Sequence, residues 1–150
     1  MVGKMLSYAK DYAGIWVASK TNFTFIRPRR VELGIPTSCN LKCRMCSLWR
    51  SPSLLSDLKY GLKYSEVLGL IREVAKWRIP DLVVTGIGET LLSHYALDIV
   101  RHAETMGIRC SLVTNGTLID QDMAMKILSS RLSILTISLD GATAQTHDQI

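Results

Sequence analysis

Long apolar runs are missing from this 150-residue chain, and nothing in it approaches the roughly 20 consecutive apolar residues that cross a bilayer. The run YAGIWVA follows Lys10 and Asp11 directly, too short and too interrupted for a signal-peptide core. Charge of one sign is also scarce. Lys and Arg number 18 against 13 Asp and Glu, with no long basic run, so no nucleic-acid partner is expected. The densest group, Arg27, Arg29 and Arg30 around Pro28, is explained as well by a solvated approach to the next segment as by an anionic ligand. No catalytic triad or carboxylate pair is recognisable, so the catalytic side chains are unknown at this stage. Histidine is limited to His94, His102 and His147, isolated from one another and each expected on a helix surface or cap. The chain reads as cytoplasmic, and in that reducing setting close-set cysteines are metal ligands or redox groups more often than disulfides.

What is present is a 47% apolar composition, ample for the core of one domain, and a repeating pattern. KMLSYAKDYAGIWVASK places Met5, Ala9, Tyr12 and Trp16 at helical spacing, which predicts an amphipathic N-terminal helix packed on the following domain; with its linker it occupies 1-28. Val31, Leu33 and Ile35 alternate with Glu32 and Gly34 before Pro36, a first strand. YSEVLGLIREVAKW then shows one apolar helical face, with Ser65 as candidate N-cap. DLVVT is a continuous apolar strand of the kind buried on both faces, and a helix over HYALDIVRHAETM follows, closed by Gly107. IRCSLVT, the helix QDMAMKILSS and the strand SILTISL complete the series. Four alternations of strand and helix imply an α/β fold with a parallel sheet and right-handed crossovers. Doubly wound sheets and (β/α) barrels both satisfy that pattern, and both bind ligands at the carboxyl ends of their strands.

Beyond those four ends lie CNLKCRMC, TGIGET, TNG and SLDG, which the topology gathers on one rim. Cys39, Cys43 and Cys46 make a triple with no matching second set. A cubane cluster in a closed electron-transfer site takes a cysteine for each of four irons, so three leave one iron open. Structural zinc wants four ligands, usually two pairs, and a thiol-disulfide pair of Cys43 and Cys46 leaves Cys39 without a role. Cys110, inside the third strand, is expected to be a small buried hydrophobe.

CNLKCRMC resembles the CxxxCxxC signature of radical S-adenosylmethionine (SAM) enzymes. GIGETLL is similar to that superfamily's GGEP-type segment, and TISLDGATAQTHDQI to the fourth-strand region of its SPASM and molybdenum-cofactor branches. The resemblance spans Val31 to Ile150 and implies a radical SAM core at 29-150, incomplete at its C-terminus. It implies a parallel (β/α) partial barrel of about four βα units, where the family has six. It also implies a [4Fe-4S] cluster on Cys39, Cys43 and Cys46, with SAM chelating the open iron. By resemblance Met45 packs near the adenine. Gly86 and Gly88 let the backbone approach the ligand closely, with positive φ open to them, and Glu89 accepts from the SAM ammonium. Ser138, with Asn115 or Asp140, meets the methionine carboxylate or ribose; local capping by these residues is the competing reading. Thr90 stands where the family usually has proline, and Ile87 replaces one usual glycine. The implied partners are a reductase or a flavodoxin- or ferredoxin-type electron donor, an unidentified small-molecule or peptide substrate, and a missing C-terminal portion or partner chain. The implied activity is reductive SAM cleavage to a 5′-deoxyadenosyl radical; a non-catalytic metal- or SAM-binding module is the alternative.

Overall fold

The computed structural model describes residues 2–21, 23, 26–35, 38–51 and 61–149. Strands β1 (Arg30–Ile35), β2 (Asp81–Gly86), β3 (Arg109–Thr114) and β4 (Ile134–Ile137) form one sheet, all parallel, in the order β1-β2-β3-β4. That monotonic order settles what periodicity left open. A doubly wound sheet doubles back across its first strand, whereas a barrel adds each new strand to the same edge. The α/β arrangement is therefore the barrel type, with four strands laid down in sequence.

Helices α2 (Tyr64–Lys76) and α3 (Ala96–Thr105) cover one face of the sheet, and α4 (Gln121–Ser129) leads into β4. Alternate strand residues supply the buried side: Leu33 and Ile35, Leu82 and Val84, Cys110 and Leu112. They pack against Val67, Ile71 and Val74 of α2 and Ile99, Val100 and Ala103 of α3. Burial of each large side chain contributes about 1.5–3 kcal/mol, so this layer is what holds the strands in register. The opposite face is less covered. In β2 only Leu82 and Val84 are fully buried while Val83 and Thr85 are half-buried, against the expectation of burial on both faces. Four strands do not close a barrel, and the inner face stays partly open. β4 shows this most: its ladder runs only four residues, shorter than SILTISL, and all four are exposed.

Local signals decide the element ends. α2 is capped by Lys63 rather than Ser65, because the Glu66 carboxylate accepts the Lys63 backbone N–H at 2.7 Å and so starts the helix two residues earlier. Asp120 caps α4 by accepting from Met123 N at 2.7 Å. Gly107 closes α3 with φ 78°, as its C′ position requires. GIGETLLS does not run straight into α3; a 3₁₀ turn at Thr90–Leu92 intervenes. At the other end, α1 (Val2–Thr21) forms as the spacing predicts, but it does not pack its aromatic face on the domain. Met5, Tyr8, Tyr12, Ile15 and Trp16 stand exposed. The helix is tethered by polar contacts instead, an Asp11–Arg29 ion pair and the Arg29 guanidinium 5.2 Å from the centre of the Tyr8 ring. Among the described residues no helix is long and apolar enough to cross a membrane.

Candidate cofactor site at the strand ends

The segments beyond the four strands meet at the carboxyl rim. Ile87 N donates to Ile35 O at 3.0 Å and Glu89 N to Ser38 O at 2.9 Å, which fastens the start of the cysteine loop to the end of β2. Ser138 N donates to Thr114 O at 2.9 Å and ties β4 to β3 in the same way. The cysteine loop has its own anchors. Cys46 N closes a turn on Cys43 O at 3.1 Å, the Trp49 indole donates to Cys43 O at 2.8 Å, and Leu48 is buried beneath. Arg44 and Met45 occupy the tip of that turn and are exposed, Arg44 donating to Gln149 O at 3.1 Å.

Glu89 is the centre of the rim. It is 2% exposed, a rare state for a carboxylate unless its oxygens are satisfied. Oε1 accepts from Thr114 Oγ1 at 2.6 Å and from Leu91 N at 2.9 Å, and Oε2 accepts from Asn115 N at 2.7 Å. A carboxylate offers about four acceptor positions, so among the described residues one on Oε2 is left. The Asn115 side chain is also engaged, accepting from Thr117 N and Oγ1 and donating to Asn40 Oδ1 at 3.0 Å.

A cavity of about 240 Å³ opens between these segments. Its walls include Cys39, Cys43, Gly86, Gly88, Glu89, Asn115 and Ser138, seven of the ten residues singled out from sequence. A smaller cavity of about 110 Å³ adjoins it, sharing Cys43, Asn115 and Ser138 and adding Asp140 and His147. Two expected residues, Cys46 and Met45, lie outside both walls. The Cys43–Cys46 turn is the reason, since it carries Met45 outward, where it is 60% exposed. Gly86 and Gly88 line the cavity but neither has positive φ. Gly86 is the last rung of the β1–β2 ladder, and extended backbone suits any residue there. The left-handed glycine of the rim is Gly116, with φ 79°. Thr90, at the place where proline is usual, is buried and opens the 3₁₀ turn, while Ile87 is exposed.

His147, expected as a surface or cap residue, does sit at a helix end, but it also faces the rim. It ends the short helix α5 (Ala144–His147), lines the smaller cavity, and has a buried Nδ1 without a hydrogen-bond partner among the described residues. A lone histidine ten residues beyond the end of β4 carries no local signal of that position. A larger cavity, about 340 Å³, lies by Arg27, Lys76 and Trp77 at the turn before β2, away from the thiols and the rim.

The donor set can be tested against a metal group directly. All four cysteines are free thiols. Cys110 is fully buried in β3, and burial first, with the nearby Glu104 carboxylate second, pushes its thiol from 9.0 up to about 12. It remains a neutral core side chain, as expected. Among the described residues no three His, Cys, Asp or Glu side chains converge on a point that would hold a single metal ion. Structural zinc takes four ligands, whereas a cubane takes one thiolate for each iron. Three thiols in one loop, with the fourth cysteine buried in β3, match the count of a cluster with one open iron.

A parallel βα sheet with thiols, glycines and a buried carboxylate on its carboxyl rim belongs to the barrel-type α/β class, with its candidate cofactor site at the strand ends. The sequence pattern of the Radical SAM superfamily matches residues 34–150, and the chain belongs to that superfamily. It is 35% identical over 121 residues to the AdoMet-dependent heme synthase of Methanosarcina barkeri, covering 81% of this chain and 34% of the relative. It is 34% identical over 128 residues to the GTP 3',8-cyclase of Parasynechococcus marenigrum, covering 77% of this chain and 35% of the relative. In fold it is similar to Streptococcus suis SuiB bound to S-adenosylmethionine, with TM-score 0.66, 17% identity, and coverage of 95% of this chain and 30% of that one. The chain thus spans about a third of the length of the curated relatives it matches. Members of this superfamily are enzymes that use a [4Fe-4S] cluster and SAM.

Proposed function

We propose that the chain is the cofactor-binding part of a radical SAM enzyme, in which Cys39, Cys43 and Cys46 hold a [4Fe-4S] cluster and the adjoining rim holds SAM. One observation carries the reading: a three-thiol loop at the end of β1 opens on a cavity walled by the ends of β2, β3 and β4. Bound together, cluster and SAM supply a 5′-deoxyadenosyl radical that takes a hydrogen atom from a substrate. The chain's own residues bind and orient. The remaining acceptor position on Glu89 Oε2 suits an ammonium, and the burial of that carboxylate keeps water from competing for it. Gly86 and Gly88 present backbone without side chains to the cavity, which permits close approach. Ser138 and Asp140 flank the smaller cavity and are assigned the ribose or the methionine carboxylate. Met45, at the tip of its turn, is the one expected contact to SAM that the cavity walls do not include.

A reductase or a flavodoxin- or ferredoxin-type donor would supply the electron, in a cytoplasmic setting. The relatives' names range from heme synthase to nucleotide and peptide cyclases, so the substrate class is not carried over from them. Anaerobic reconstitution with iron and sulfide tests the assignment. A brown protein whose reduced electron paramagnetic resonance signal changes on adding SAM is the expected result, with 5′-deoxyadenosine as its product. Stoichiometric zinc uptake with SAM left intact would replace this reading with a non-catalytic metal-binding module.

A further inference from the structure

Asn40 lies inside the cysteine triple, where spacing alone gives it no role. In the structure its carboxamide spans to the far side of the rim. Asn115 Nδ2 donates to Asn40 Oδ1 at 3.0 Å, Asn40 Nδ2 donates to Thr117 Oγ1 at 2.8 Å, and Thr117 Oγ1 donates to Asn115 Oδ1 at 2.7 Å. Each of the three side chains donates once and accepts once, so the hydrogen bonds run in one sense around a closed ring. Such rings polarise their members and hold better than the same bonds taken separately. The Thr117–Asn115 bond is local, but the two bonds to Asn40 join residues 75 and 77 positions apart in the chain. Local capping therefore accounts for only part of what Asn115 does.

The ring also completes a second circuit. Ser38 O is held by Glu89 N, Glu89 Oε2 holds Asn115 N, and the Asn115 side chain holds Asn40. Cys39 sits between Ser38 and Asn40, both of them fixed. It is also the most exposed of the three loop thiols, with no burial of its own to orient it. Leu41 N adds a contact to Cys39 Sγ at 3.5 Å, and hydrogen bonds to ligand sulfurs are among the factors that set a cluster's potential.

We infer that Asn40, Asn115 and Thr117 form a clasp that positions Cys39 for the cluster through the loop backbone, a role separate from the place of Asn115 and Thr117 on the cavity walls. This deepens the cofactor reading proposed above and rests on it. A thiol that gets its direction from neighbours rather than from burial depends on those neighbours for preorganisation.

The test begins on the cluster-free chain. Hydrogen exchange of peptides covering 38–46 and 87–91, which report the Leu41, Cys46 and Glu89 amides, is compared between the parent chain, Asn40→Ala, Thr117→Val and Thr117→Ser. Asn40→Ala and Thr117→Val are expected to speed exchange there about tenfold while β2 and β3 stay as in the parent. Thr117→Ser, which keeps the hydroxyl, is expected to behave as the parent. After reconstitution, loss of iron to a chelator follows the same order, about tenfold faster in the first two variants. The Asn40→Ala/Asn115→Ala pair is expected to lose iron no faster than either single variant, because one ring is broken once. Exchange and iron loss within twofold of the parent in Asn40→Ala and Thr117→Val overturn the clasp. So does an Asn115→Ala protein that keeps its cluster at the parent rate but loses the SAM-induced spectral change, since that makes Asn115 a direct contact. A parent chain that takes up no cluster overturns the cofactor reading and the positioning role together, and the exchange data then separate that failure from a clasp that never formed.

Discussion

Strands β2 and β3 are joined by a carboxylate at each end, and the two joints are built on opposite principles. At the amino end Asp81 lies opposite Arg109 in the ladder and accepts from its Nε at 2.7 Å and its Nη2 at 2.6 Å, with the arginine side chain 63% exposed. At the carboxyl end Glu89 is 2% exposed and takes three neutral donors, two of them from β3 and the residue after it. Water can replace the arginine of the amino-end pair at little cost, though the aspartate side chain is only 20% exposed, so that joint is the more dispensable. Water is largely excluded from the carboxyl-end joint, where three donors depend on one buried side chain. The sheet is rigid where the cofactor site is built and tolerant where it is not, and mutating the two ends should expose the contrast.

The largest effect is expected from Glu89→Ala. It leaves Thr114 Oγ1, Leu91 N and Asn115 N without their shared acceptor in a buried place. A cost of about 3 kcal/mol follows, on the order of 10 °C in Tm. Glu89→Gln keeps the shape but turns an NH₂ toward donors, and should lie between Ala and the parent. Thermal unfolding monitored by circular dichroism measures both. A loss below about 1 kcal/mol in Glu89→Ala would show that the rim relaxes around the gap, and the contrast between the two ends would fail.

A smaller loss is expected at Gly116, the left-handed residue of the same rim. A Cβ there would come within 2.9 Å of Ile137 Cγ2 on β4 and would sit on a backbone with φ 79°. The conformational cost alone is about 1–2 kcal/mol for Ala. Combining Gly116→Ala with Ile137→Ala removes the collision but not the strain, so comparing the double variant with Ile137→Ala alone isolates the backbone contribution. If the loss disappears in that background, the glycine is there for space and not for its φ.

Much of this rim was legible because strands and breakers leave local marks. Val31, Leu33 and Ile35 alternate, DLVVT and IRCSLVT are apolar, and the runs stop at Pro36, Gly86, Asn115 and Asp140, so the four ends and their gathering on one side followed from pattern alone. The cysteine triple was legible for the same reason, as a spacing within eight residues. What the sequence did not mark are the long-range polar contacts. Nothing local to Glu89 says that it is buried, since its donors Thr114 and Asn115 lie 25 and 26 residues away, and nothing local to Asn40 says that it reaches Thr117. Coverage was equally hidden. SILTISL and the first helix carry apolar residues, but exposure depends on what packs against them, and neither Ile134 nor Trp16 contains that information.

The smallest effect tests the more dispensable joint. Asp81→Ala removes a pair whose arginine is mostly in water, and such pairs contribute about 0.5 kcal/mol because screening and side-chain entropy offset the attraction. The remaining strand contacts still fix the register, since Leu82 opposite Cys110 and Val84 opposite Leu112 are buried on the core side. The stability difference between Asp81→Ala and the parent should shrink further at about 1 M salt, where the screening length falls to about 3 Å. Uptake of iron and sulfide should stay at the parent level, because the pair lies at the other end of the strands from the thiols. A loss comparable to that of Glu89→Ala would mean that the amino-end pair is as indispensable as the buried carboxylate, and the rigidity of the sheet would then have no bias toward its cofactor end.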